Sequence, residues 1–99
     1  MVVIWSSLAE EQLNAELDYY EENANPQVAL KILDMLKVAT DRLATFPLLG
    51  FLIEENPLYR VLIEGHYKIV YSVEEDQIRI AFLFNTWQDP SRLMDFLGK

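Results

Sequence analysis

The spacing of apolar residues changes along this chain, and each change marks an element. Val2-Val3-Ile4-Trp5 is a short, unbroken, β-branched run. It predicts a strand, and its lack of alternation predicts a central place in a sheet. The period then lengthens. Ala9, Leu13, Leu17 and Tyr20 form one stripe at helical spacing, with Glu10, Asn14, Asp18 and Glu21 opposite. Ser6 or Ser7 caps this helix, and Ser7 with Glu10 has capping-box spacing. Asn23-Ala24-Asn25-Pro26 breaks the pattern, and Asn25-Pro26 restarts it as N-cap and first helical residue. Ala29, Ile32, Leu36, Ala39, Leu43 and Phe46 give the second helix an apolar seam, which Pro47 and Gly50 end.

Beyond Gly50 the period falls to two. Phe51-Leu52-Ile53 reads as a brief strand or a buried loop, and Asn56-Pro57 as a turn. Tyr59 to Ile63, Tyr67 to Val73 and Ile78 to Phe84 are rich in β-branched and aromatic residues. Glu64-Gly65-His66 and Glu74-Glu75-Asp76-Gln77 separate them. These are antiparallel strands joined by tight connections. Asp89-Pro90 opens a last short helix through Leu97, with Leu93, Met94 and Leu97 as its apolar side. The expected fold is α+β in the order β-α-α-β-β-β-α. A helical hairpin packs on one face of a mainly antiparallel sheet, and the other face is open or partly covered by the last helix.

Alternation then sorts the side chains. Tyr67, Ile69, Tyr71 and Val73 share one face, and Lys68, Val70 and Ser72 the other. Ile78, Ile80, Phe82 and Phe84 are expected in the core, with Arg79, Ala81, Leu83 and Asn85 facing away. Lys68 and Arg79 therefore fall on the open face, where Arg60 joins them as a candidate anion site. The competing reading is ion pairing with Glu54, Glu64 or Glu74. His66 is either an exposed turn residue or a general base beside that face. Trp87 is either a lid on the core or an exposed binding anchor.

Composition narrows the classes. Ninety-nine residues with 52% hydrophobic content make one domain, residues 1–99. The absence of cysteine removes disulfides and thiolate sites, and a lone histidine removes a multi-histidine metal site. No metal or cofactor is expected. The N-terminus lacks a signal-peptide pattern and no apolar run reaches membrane-spanning length, so a cytoplasmic location is expected. Eight basic and 16 acidic residues give a net charge of −8, which argues against broad nucleic-acid binding.

Arg60-Val61-Leu62, Tyr67-Lys68-Ile69-Val70-Tyr71, Ile78-Arg79-Ile80 and the closing Asp89-Pro90, taken in that order behind two helices, resemble the RelE/ParE toxin superfamily of type II toxin–antitoxin systems. The resemblance covers nearly the whole chain. It implies a toxin associated with plasmid stabilisation, with a cognate antitoxin as partner and DNA gyrase or the ribosome as target. In the RelE-like branch, which cleaves ribosome-bound messenger RNA, basic positions fall on Arg60 and Lys68. A second lysine position holds Leu62, the arginine after the last strand falls on Trp87 or Gln88, and the late tyrosine falls near Leu93 or Met94. The ending Asn85-Thr86-Trp87-Gln88-Asp89-Pro90 looks more like the ParE-like branch, though without the arginines that commonly precede its Asp-Pro. The candidate catalytic residues are Arg60, Lys68, Arg79 and His66. The candidate partner contacts are Tyr59, Asn85, Trp87 and Gln88. A gyrase-directed or similar ParE-like toxin, a RelE-like endoribonuclease and a detoxified antitoxin-binding module are the readings that follow.

Overall fold

The computed structural model describes residues 1–87. The elements are β1 (Val2–Trp5), α1 (Ser7–Asn23), α2 (Pro26–Thr45), β2 (Phe51–Leu52), β3 (Arg60–Glu64), β4 (Tyr67–Val73) and β5 (Gln77–Asn85). The expected terminal helix, with Leu93, Met94 and Leu97, lies outside the described residues, as does Gln88. The sheet order is β1-β5-β4-β3-β2. β2 to β5 pair antiparallel, and β1 lies parallel to β5. The two helices pack together on one face. Leu36, Ala39 and Leu43 of α2 and Ala9 of α1 meet Leu62, Tyr67, Ile69, Tyr71, Ile78 and Ile80 of the sheet. No helix among the described residues is long and apolar enough to cross a membrane.

Four expectations need correction. β1 is an edge strand, not a central one. Val3 and Trp5 pack against the core while Val2 and Ile4 face solvent. An apolar run of four residues does not itself distinguish a buried neighbour from an exposed edge. The N-cap of α1 is Ser6 alone; its hydroxyl oxygen accepts from the Ala9 N–H at 3.1 Å, so the Ser7–Glu10 capping box does not form. Phe46 is the C-cap of α2 and is exposed, so the buried seam ends at Leu43.

The fourth correction concerns β5. Tyr71 pairs with Ile80 and Val70 with Phe82, so Ala81 is an extra residue in a β-bulge. A bulge inverts the alternation of everything beyond it. Ile78, Ile80 and Leu83 face the helices, whereas Phe82 and Phe84 turn to the opposite face. There they meet Ile53, Val61 and Val70 in a second small core, with Tyr59 packed against it. The face expected to be an open groove is therefore occupied by buried apolar side chains of the sheet itself and by Ile53 and Tyr59 from the connection between β2 and β3.

Ser6 ties the bulge to α1. Its N–H donates to the Ile80 carbonyl at 2.8 Å and its hydroxyl donates to the Ala81 carbonyl at 3.0 Å. Ser6→Ala removes both the helix cap and the bond to the bulge. It is expected to lower the unfolding free energy by about 1–2 kcal/mol, measured by urea denaturation.

Candidate functional site

The proposed cation cluster is split by the fold. Arg60 pairs with Tyr71 in the β3–β4 register, which places it on the helix face. Its guanidinium donates to the Gly50 carbonyl at 2.7 Å and to the Leu48 carbonyl at 3.5 Å. The Tyr71 hydroxyl completes this latch, accepting from the Gly50 N–H at 2.8 Å and donating to the Pro47 carbonyl at 2.8 Å. Gly50 is required by space here: a Cβ would lie 2.5 Å from the Val61 carbonyl oxygen. Arg60 thus fastens the connection from α2 to β2, and its donors are directed into backbone acceptors.

Lys68 and Arg79 do lie on the face away from the helices, since Lys68 pairs with Phe84 and Arg79 with Ser72. Their rows are four positions apart along β4, about 13 Å of strand. Val70 and Phe82 fill the interval. Arg79 borders a surface depression of about 330 Å³ with Tyr59, Ser72 and Glu74. Glu64, expected to neutralise these cations, is bound by Arg42 at 3.1 Å. Arg60, Lys68 and Arg79 therefore do not converge on one point.

Polar chemistry is concentrated elsewhere, where the end of β5, the β3–β4 turn and the second half of α1 meet. Glu16 is the hub. Its Oε1 accepts from the Tyr67 hydroxyl at 2.7 Å and from the Asn85 side-chain amide at 2.8 Å. The Tyr20 hydroxyl lies 3.3 Å from His66 Nε2 and donates to it when that nitrogen carries no proton. The His66 ring stacks on Trp87, with centroids 3.8 Å apart and planes 4° from parallel. Thr86 secures the turn, its N–H and hydroxyl donating to the His66 carbonyl at 2.8 and 2.7 Å. Gly65 supplies the tight reversal, with φ of 57°.

His66 is consequently half-buried, not a free turn residue, and its ring is engaged by Tyr20 and Trp87. Asn85 is a buried linker, accepting the Trp87 N–H at 2.9 Å as well as holding Glu16. Trp87 is 74% exposed, so it is no lid on the core. Glu16, Tyr20 and Tyr67 were missed as functional candidates. The available signal was Glu16 itself: it lies three residues after Leu13 and four before Tyr20, which puts a carboxylate on the apolar stripe. Among the described residues, no group of three metal-ligating side chains is placed to hold a metal ion.

Burial sets the acid–base character of the cluster. It pushes the Tyr67 phenol far above its ordinary range, helped by the hydrogen bond to Glu16 and that residue's charge. Burial also raises Tyr20. It lowers His66 below its ordinary 6.5, an effect that the Glu16 charge opposes without cancelling. Folded His66 therefore binds its proton at lower pH than unfolded His66. The stability it contributes is whole above pH 6.5 and is lost as pH falls from there through the folded value. Urea midpoints measured from about pH 7.5 to 5 are expected to fall less steeply for His66→Gln than for the unmodified chain. Arg60→Gln is expected to cost about 1–2 kcal/mol of stability with no nucleic acid present, read from the same midpoints.

Comparison with known proteins agrees with this architecture. Among curated proteins, none matches the sequence significantly. Among solved structures, a chain described as the chromosomal ParDE TA system from P. aeruginosa superposes with a TM-score of 0.75 at 22% identity. The match covers 86% of this chain and 95% of that one. At that identity the likeness speaks for the fold. The family assignment comes from the sequence: residues 3–89 match the family described as ParE toxin of type II toxin-antitoxin system, parDE. With that match running from β1 past the end of β5, the chain belongs to the ParE toxin family.

Proposed function

We propose that this chain is a growth-arresting toxin that acts by binding an essential protein target and is neutralised by a cognate antitoxin. DNA gyrase is the target we favour within that reading. The observation that carries it is the dispersal of the cations. Scission of RNA needs charge stabilisation and an acid–base group gathered at one phosphate. Here Arg60 is latched to Gly50 on one face, while Lys68 and Arg79 lie apart on the other. His66 is held at the β3–β4 turn against Tyr20 and Trp87. The overall charge of −8 works in the same direction, since it repels a polyanion. A protein surface has no such requirement and is gripped by exposed aromatic anchors.

Induced alone in a bacterial host, the chain is expected to stop growth, and co-expression of a cognate antitoxin is expected to restore it. Purified protein is expected to block plasmid supercoiling by gyrase and to leave ribosome-bound message intact. Normal growth at high expression would leave a binding module without toxicity. Message cleavage abolished by Lys68→Ala would favour the endoribonuclease reading instead.

A further inference from the structure

The surface beside Glu16 has a specific chemistry that the cation-based reading leaves unused. Ala15, Glu16, Tyr19 and Tyr20 of α1, with Asn85 and Trp87 from the end of β5, enclose a cleft of about 480 Å³. That volume is within the range of sites that take small molecules or a large side chain. Its walls are aromatic. Tyr19 and Tyr20 meet edge to face at 5.2 Å, and Trp87 is backed by the parallel His66 ring. Its carboxylate, Glu16, is held in orientation by Tyr67 and Asn85. A fixed carboxylate among exposed ring faces is the chemistry that selects a cation, because ring quadrupoles and the carboxylate attract the same charge.

The surroundings favour the same sign. α1 carries Glu10, Glu11, Glu16, Asp18, Glu21 and Glu22 and no lysine or arginine. His66, hydrogen-bonded to Tyr20, is held toward its neutral form by burial. A nucleic acid would meet only repulsion here. A second copy of a chain with net charge −8 would meet it too. Tyr19 and Trp87 nevertheless stay 57% and 74% exposed, as large rings do where a partner covers them.

We propose that this cleft binds an arginine side chain presented by a basic segment of a protein partner. The guanidinium stacks against Trp87 and the tyrosine rings and donates to Glu16, while neighbouring basic residues run along the acidic face of α1. Arginine is favoured over lysine because its planar, weakly hydrated head both stacks and hydrogen-bonds. On the toxin reading, that partner is the antitoxin, and this inference rests on that reading for the partner's identity though not for the binding chemistry.

The test uses the full chain and an alanine-based helical peptide carrying arginines one turn apart, against the same peptide with citrulline, which keeps the shape and removes the charge. Nitrogen-15 NMR follows the Trp87 indole and the Asn85 side-chain amide. Both are expected to shift saturably with the arginine peptide and at least about tenfold more weakly with citrulline. Trp87→Ala, an exposed position, and Glu16→Gln are each expected to weaken binding about tenfold. Equal binding of the citrulline peptide, no binding, or binding indifferent to Trp87→Ala with shifts spread along α1 would overturn the proposal. The toxin reading is judged separately. Peptide binding without growth arrest removes the toxin and leaves the cleft, whereas growth arrest without peptide binding does the reverse.

Discussion

The bulge at Ala81 is the constraint on which the rest of the structure depends. β5 runs for nine residues, whereas its neighbour β1 runs for four and pairs only with Gln77 to Ile80. Beyond Ile80 the edge of β5 has lost its strand partner, and its backbone groups must be satisfied by something else. α1 supplies them from side chains. Ser6 takes up the Ala81 carbonyl, and Gln12 Oε1 accepts the Leu83 N–H at 2.8 Å. Glu16 then takes the side-chain amide of Asn85, at the strand's last residue. Three polar residues of one helix and its cap thus follow the strand where a longer β1 would lie. The helix is fixed in position along the sheet by hydrogen bonds as well as by its apolar stripe.

That arrangement explains why a carboxylate sits on the inner side of α1. Burying a charge without partners is costly, whereas one that accepts from a phenol and an amide is compensated. The same inversion that sends Phe82 and Phe84 to the second core brings Leu83 and Asn85 toward α1. Without the extra residue, Asn85 would point away from Glu16 and Phe84 would lie in its place. The polar cluster and the second apolar core are therefore two results of one register change.

The sequence made the elements legible because their signals are local. Asn25-Pro26 caps and opens α2 as its residue types require, and the α2 seam from Ala29 to Leu43 points inward. The alternation in β4, with Tyr67, Ile69 and Tyr71 on the helix side, is read directly from period two. What was not legible depends on register. Nothing in Ile80-Ala81-Phe82 announces a bulge, since all three residues suit a regular strand. The facing of Phe82, Leu83, Phe84 and Asn85 was inverted for that reason. Arg60 failed in a related way. It was grouped with Lys68 by residue type, yet its pairing with Tyr71 turns it toward Gly50.

These corrections also change how the cations should be understood. In an acidic chain, a few arginines and lysines invite assignment to a site because they stand out. Arg60 satisfies carbonyls in a connection that lacks regular secondary structure, and Arg42 bridges α2 to Glu64 on β3. Both are consumed by the fold, and a residue occupied in this way is not available to stabilise a developing charge on a substrate. The groups left facing solvent at the end of the sheet are aromatic and acidic instead. Recognition on this protein is therefore better sought where charge is scarce in one sign and ordered in the other, at the rings of Tyr19 and Trp87 around an oriented carboxylate, than in a basic groove that its register does not build.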